Sequence, residues 1–312
     1  MYERILVPLD GSELAEVAIP YVGELASRLK SQATLFQAVL LSYPVLTVGD
    51  VISWIPPYTE RDIEQLKADT KKYLEKAGEA LKGKGIPAKS EVAIGDPAKE
   101  IVDYADEHDI GLIIMATHGR SGIKRWAIGS VADKVARYAR QPVMIIRAKG
   151  DHRDALDRGI LKKIIVPLDG SPASEAVIPY VGELADKLKA EVILFQAMAH
   201  LYHLTTTGKV IIQVPYTEKE TEQLKANTML YLEKAGERLK AKGIPMRAEV
   251  TVGDPAEEII NLADKTGADL VAMSTHGRSG IARWALGSVA DKVLHAGNTP
   301  LLLVRASGAI SA

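Results

Sequence analysis

The sequence is two copies of one domain-sized pattern. "ILVPLDGS" at Ile5–Ser12 returns as "IIVPLDGS" at Ile164–Ser171, and "IPYVGELA" begins at both Ile19 and Ile178. "GIPAKSEVAIGDPAKEI" from Gly85 matches "GIPMRAEVTVGDPAEEI" from Gly243. The loop "MATHGRSGIKRWAIGSVADKV" from Met115 comes back as "MSTHGRSGIARWALGSVADKV" from Met273. The offset is 159 residues for the early pairs and 158 for the later ones, so one residue was lost between Phe36 and Tyr58. A chain of 312 residues exceeds what one core usually supports, and the repeat divides it into halves of ordinary domain size. We read residues 1–147 as the first domain, 148–159 as a linker and 160–306 as the second domain. The linker, "AKGDHRDALDRG", is charged and poor in apolar residues.

Within the first copy, "RILVPLD" is a short apolar run that predicts a buried strand. Ser12 stands where a helix N-cap belongs, and in the second copy Pro172 follows Ser171 at the first helical position. Leu14, Val17, Ala18, Tyr21, Val22, Leu25 and Leu29 then recur at three- and four-residue steps, giving one apolar face. "ATLFQAV" predicts strand two, followed by a long irregular stretch from about Leu40 to Tyr58. Helix two is expected from Thr59 to Gly83, and "AKSEVAI" as strand three. Asp96-Pro97 opens helix three, "GLIIM" is strand four, "SVADKVARYA" helix four and "PVMII" strand five. Strands alternating with helices imply right-handed crossovers and a parallel sheet covered on both faces. The expected fold class is α/β: two repeated doubly wound domains, each a five-stranded parallel sheet in the order 3-2-1-4-5.

Composition removes several function classes. The formal net charge is −1, which argues against a broad electrostatic footprint for nucleic acid. The chain has no cysteine, so disulfides, thiolate metal sites and cysteine nucleophiles are excluded. No apolar run approaches the ~18 residues that span a bilayer, and "MYERILVPLD" enters a strand directly without a basic leader. A cytoplasmic protein without membrane or nucleic-acid partners is the expectation.

In sheets of this kind ligands bind beyond the carboxyl ends of the strands, where the strand order reverses. Strand one ends at Pro8-Leu9-Asp10 and leaves a carboxylate at its tip, as Pro167-Leu168-Asp169 does in the second copy. Strand four ends at Met115, directly before a loop bracketed by Gly119 and Gly129, and Gly129-Ser130 opens helix four. A helix start carries free N–H groups and the positive end of the dipole, so an anion sits well there. Glycine permits close approach and Ser130 adds a hydroxyl donor, so the expected ligand is a phosphorylated small molecule. Neither G-x-x-x-x-G-K-[ST] nor G-x-G-x-x-G occurs, which removes a Walker-type NTPase and a dinucleotide dehydrogenase. Asp10 and Asp169 also have a plain reading as turn or capping residues beside Gly-Ser.

With "PLD" after strand one and "THGRSG…GS" after strand four, the chain resembles the universal stress protein family in its tandem two-domain form. Nucleotide-binding members of that family carry G-x2-G-x9-G-[ST]. The last three elements are present as Gly119, Gly129, Ser130 and as Gly277, Gly287, Ser288, whereas Ala116 and Ser274 stand at the first glycine. The resemblance implies ATP or AMP as ligand, with Mg²⁺ carried on the phosphates. It places Asp10 and Asp169 on the adenine or ribose side, and Ala38, Ala197, Met115 and Met273 along the base. His118, Arg120, Gly122, Val131 and their counterparts His276, Arg278, Gly280, Val289 complete the predicted set. It also implies pairing of two such domains through their last strands. Here "PVMIIR" and "PLLLVR" allow that within one chain, with further homodimerisation as an additional expectation.

The histidines read as loop-shaping groups, and Trp126 and Trp284 as packing residues. Arg125 and Arg283 read as solvated. His200 and His203 form an H-x-x-H without a carboxylate cluster, so no metal site is predicted. No nucleophile–base–orienter set is legible, and no catalytic residue is assigned. The leading expectation is a regulatory protein that binds adenine nucleotide. The alternatives are a nucleotide-independent interaction or chaperone-like module and a slow nucleotide hydrolase.

Overall fold

The computed structural model describes residues 1–41, 45–48, 51–54, 58–117, 128–147, 161–199, 202–207, 210–276 and 286–306. The chain divides into two compact units between residues 149 and 150. Each is an α/β domain built on the same plan.

In the first unit the order is β1 (Arg4–Pro8), α1 (Glu13–Glu16), α2 (Ala18–Leu29), β2 (Gln32–Val39), β3 (Val45–Val48) and β4 (Val51–Trp54). There follow α3 (Glu60–Ala77), α4 (Glu79–Lys82), β5 (Ala88–Ile94), α5 (Pro97–Glu107), β6 (Leu112–Ala116), α6 (Ser130–Tyr138) and β7 (Val143–Ile146). Strand β1 pairs in parallel with β2 on one side and β6 on the other; β2 continues to β5 and β6 to β7. The order β5-β2-β1-β6-β7 is the predicted 3-2-1-4-5, and its reversal lies between β1 and β6.

The second unit repeats this with β8 (Lys163–Pro167), α7 (Pro172–Glu175), α8 (Ile178–Leu188), β9 (Glu191–Met198), β10 (Tyr202–Thr207) and β11 (Val210–Pro215). Then come α9 (Glu218–Ala235), α10 (Glu237–Ala241), β12 (Met246–Val252), α11 (Pro255–Thr266), β13 (Leu270–Ser274), α12 (Ser288–Ala296) and β14 (Leu301–Val304). Its sheet runs β12-β9-β8-β13-β14, all parallel.

The sheets form because their strands are apolar throughout, as burial on both faces demands. Leu6, Val7, Leu35, Ile113 and Ile114 are fully buried, as are Ile165, Val166, Leu194 and Ala272. Helix boundaries follow local chemistry. Thr59 and Asp62 form a reciprocal capping box that starts α3, and Thr217 and Glu220 do the same for α9.

One expectation needs correction. The stretch from Leu40 to Tyr58 is not wholly irregular, because β3 and β4 pair as an antiparallel hairpin, Val48 opposite Val51. The second unit has the equivalent hairpin in β10 and β11, Thr207 opposite Val210.

Candidate functional site

The end of β1 is a built turn. Leu9 extends the ladder by donating to the Phe36 carbonyl at 2.8 Å, and the chain then turns at Gly11 with φ 84°. That left-handed conformation favours glycine, and Gly170 repeats it at φ 85°. Asp10 Oδ1 accepts the Ser12 amide at 3.1 Å and the Ser12 hydroxyl at 2.6 Å, while Ser12 Oγ caps α1 by accepting from the Ala15 amide at 3.2 Å. Asp169, Ser171 and Ser174 reproduce these bonds at 2.9, 2.6 and 3.1 Å. The turn reading of these aspartates therefore holds, and both also line a cavity.

Behind each turn stands a half-buried tyrosine. The Tyr73 hydroxyl donates to Glu16 at 3.0 Å and that of Tyr231 to Glu175 at 3.0 Å. Burial first, and the carboxylate second, raise both phenols well above their ordinary range, so they stay neutral.

The end of β6 is closed by backbone. Thr117 donates to the Ile146 carbonyl at 2.9 Å, and Gly129 returns to donate to the Thr117 carbonyl at 2.7 Å. In the second unit Thr275 bonds to Val304 at 2.9 Å and Gly287 to Thr275 at 2.8 Å. Gly129 and Gly287 have ordinary extended dihedrals, φ −66° and −61°, so their conformation does not require glycine. Space does. A Cβ on Gly287 would stand 3.2 Å from the Thr275 carbonyl oxygen, a tight contact at the base of the loop. Ala116 and Ser274 end their strands and are not among the residues with positive φ, so replacing glycine there costs the backbone nothing.

Helices α6 and α12 start differently from the other helices that follow an extended residue. Ser12, Thr59, Asp96, Ser171, Thr217 and Asp254 each cap their helix with a side-chain oxygen. Gly129 and Gly287 provide no side-chain cap. The first-turn amides of α6 and α12 are thus left for another acceptor.

These parts converge on one cavity per unit, each of about 280 Å³, near the lower end for small-molecule sites. In the first unit Pro8, Leu9, Asp10, Ala38, Met115, Ala116, Gly129, Ser130 and Val131 line it together, as expected from sequence. In the second, Pro167, Leu168, Asp169, Ala197, Met273, Ser274, His276, Gly287, Ser288 and Val289 do so. His118, Gly119, Arg120, Gly122, Gly277, Arg278 and Gly280 lie outside the described residues, as do Arg125, Trp126, His200, Arg283 and Trp284.

The sequence reading missed several wall residues. Phe36 shares a strand face with Ala38, a period-two signal that was present in the sequence. Pro97 and Ile101 lie one turn apart on α5, and Thr117 and Ala132 flank the loop. Ala15 adds a methyl from α1, where the second unit has Ser174. His276 shares a hydrogen bond at 2.9 Å between its Nδ1 and the Thr275 hydroxyl, a loop-shaping contact. No described carboxylate bonds to that ring, so the pair lacks an orienting group.

Comparison with known proteins now decides the family. The family model described as "Universal stress protein family" matches residues 1–147 and 161–305, nearly all of the chain. The chain belongs to the universal stress protein family. Universal stress protein Rv2005c of Mycobacterium tuberculosis is 26% identical over 272 residues, covering 83% of this chain and 85% of that one. Universal stress protein YxiE of Bacillus subtilis is 30% identical over 148 residues, 47% of this chain and all of its own length. The crystal structure of a universal stress protein from Archaeoglobus fulgidus shares the fold, with TM-score 0.71 at 18% identity over 98% of this chain and 100% of that one. Family membership thus extends over both repeats, each with its own cavity. Among the described residues no helix is long and apolar enough to cross a membrane.

Proposed function

We propose that the chain is a regulatory protein of the stress response that binds ATP or AMP in its two cavities. The observation that carries this reading is the uncapped start of α6 and α12 at a largely apolar cavity that an aspartate also lines. The phosphates meet the first-turn amides and the Ser130 or Ser288 hydroxyl, where the helix dipole favours negative charge. The base lies against the apolar wall made by Phe36, Ala38 and Met115, or their counterparts. Asp10 and Asp169, held in place through Oδ1 by the Ser12 and Ser171 bonds, line the cavity on the ribose or base side.

Among the described residues each cavity is lined by one carboxylate. That donor set fits a Mg²⁺ carried on phosphate oxygens rather than a cation caged by protein side chains. When bound with ATP, the cation neutralises phosphate charge. Asp10 or Asp169 holds the nucleoside, and the helix amides hold the phosphates.

Ala116 and Ser274, which stand at the first glycine of the family pattern, end their strands without positive φ, which supports a retained site over a nucleotide-independent module. Ligand binding that prefers one state of the protein shifts the population toward it, which is how a non-catalytic site regulates. The test is native mass spectrometry of the purified chain, then titration with AMP and with ATP plus Mg²⁺. The expected result is one nucleotide per repeat with a rise in melting temperature. A chain that carries no nucleotide and whose melting ignores millimolar ATP and AMP would sink the reading.

A further inference from the structure

The two cavities have the same volume and nearly the same walls. Of the fifteen lining positions that correspond between the repeats, thirteen carry the same residue. The exceptions are Ala15, matched by Ser174, and Ala116, matched by Ser274. Size therefore does not distinguish the sites, and two hydroxyl groups do.

Those hydroxyls are not equivalent. Ser174 Oγ donates to the Ser171 carbonyl at 2.8 Å and accepts the Asp169 amide at 3.3 Å. Its proton is engaged within the protein, where it braces the Asp169 turn. Ser274 is 5% exposed. Its hydroxyl makes one hydrogen bond among the described residues, a long one accepted from the His276 amide at 3.5 Å. The Ser274 proton has no acceptor there. A buried hydroxyl donor at a cavity wall gains when a ligand supplies an acceptor, and is left desolvated when the ligand presents only carbon.

We infer that the two repeats are unequal sites, the second being the tighter one for adenine nucleotide, with Ser274 as the residue that sets the difference. The inference rests on the nucleotide reading above. Ser274 donates to a ring nitrogen or ribose oxygen of the ligand, at the place where Ala116 of the first repeat offers only a methyl group. One such hydrogen bond corresponds to a difference of up to about tenfold in affinity. A nucleobase analogue with carbon in place of the contacted acceptor loses that advantage in the second repeat and is unaffected in the first.

The test is calorimetric titration of the full chain with AMP, using wild type, Ser274→Ala and Ala116→Ser. Wild type is expected to show two classes of site separated by up to tenfold. Ser274→Ala should bring them within about threefold by weakening the tight class, and Ala116→Ser should do so by tightening the weak one. Circular dichroism and melting curves confirm that each variant is folded. Two equal classes in wild type would overturn the inference while leaving nucleotide binding intact. So would a tight class that survives Ser274→Ala unchanged, which would remove Ser274 as the cause. Where AMP does not bind, the same comparison is made with ATP plus Mg²⁺, and absence of binding by both nucleotides in wild type would overturn both readings together.

Discussion

Of the helices that reach each cavity, the two longer ones begin in opposite ways. Helix α5 starts at Pro97 behind Asp96, whose Oδ1 accepts the Lys99 amide at 3.1 Å. Helix α6 starts at Ser130 behind Gly129, with no side chain over its first turn. The second unit keeps the contrast, with Asp254 accepting the Ala256 and Glu257 amides at 3.0 and 3.2 Å and Gly287 supplying no cap. Both helix starts carry the same dipole and the same orphan N–H groups. One end has been satisfied by the protein and serves the fold. The other is left open, at some loss of stability, and in the proposed function it is the end that serves a ligand. The positions at which a protein leaves out an available cap are as informative as the residues it places in a cavity.

The largest expected effect comes from erasing this contrast. Gly287→Asp puts a carboxylate where the phosphate belongs, and the backbone there, φ −61° and ψ 149°, is already that of an N-cap aspartate. The Cβ meets the Thr275 carbonyl at 3.2 Å, which a shift of a few tenths of an ångström accommodates. The second repeat should lose roughly a hundredfold or more in AMP affinity, while its melting temperature holds or rises with the new cap. Retained affinity in a folded variant would mean that the open helix start is not the anion site.

The converse variant should damage stability and spare binding. Asp254→Ala removes a cap worth about 1 kcal/mol, or roughly 2–4 °C in the melting of a domain of this size. AMP affinity should stay within about twofold. This effect has a pH signature. The backbone N–H groups of the helix start, and then Lys292, hold the Asp254 carboxyl below its ordinary 3.8; the Lys99 amide and then Lys134 do so for Asp96. A carboxyl lowered by folding contributes stability above its unfolded pKa and loses it as pH falls through the folded value. The urea midpoints of wild type and Asp254→Ala should therefore be furthest apart above about pH 5 and converge as the pH drops below 4. A constant gap across that range would show that the cap does not act through its charge.

These helix starts were legible in the sequence because capping is local chemistry. Asp96-Pro97 and Gly129-Ser130 announce themselves within four residues. The strand order was legible because apolar strands alternate with amphipathic helices, and the repeat gave every assignment a second reading. The hairpins were missed for a different reason. Their strands differ between the copies, so the repeat was no guide, although Gly49-Asp50 and Gly208-Lys209 between β-branched runs are a recognised hairpin signal. The cavity was half legible. Residues at strand tips follow from the topology, whereas Pro97 and Ile101 reach the cavity only through the way α5 crosses the sheet. No local pattern marks that crossing.

The smallest expected effect separates the two oxygens of one carboxylate. Asp254 Oδ1 caps α11, while Oδ2 lies 3.2 Å from Lys292 Nζ on α12. In the first unit Asp96 Oδ2 lies 3.5 Å from Lys134 Nζ. Each pair links the capped helix to the uncapped one. Its energetic weight is nevertheless slight. The Lys292 side chain is 62% exposed and that of Asp254 39%, so water and salt screen the attraction, and two flexible chains must be ordered to form it. Lys292→Gln should cost under about 0.5 kcal/mol, visible as a small shift in urea midpoint at low salt that vanishes near 0.5 M NaCl. If it instead matches the loss in Asp254→Ala, the ion pair and not the cap holds α11, and the contrast between capped and open helix starts loses its energetic basis.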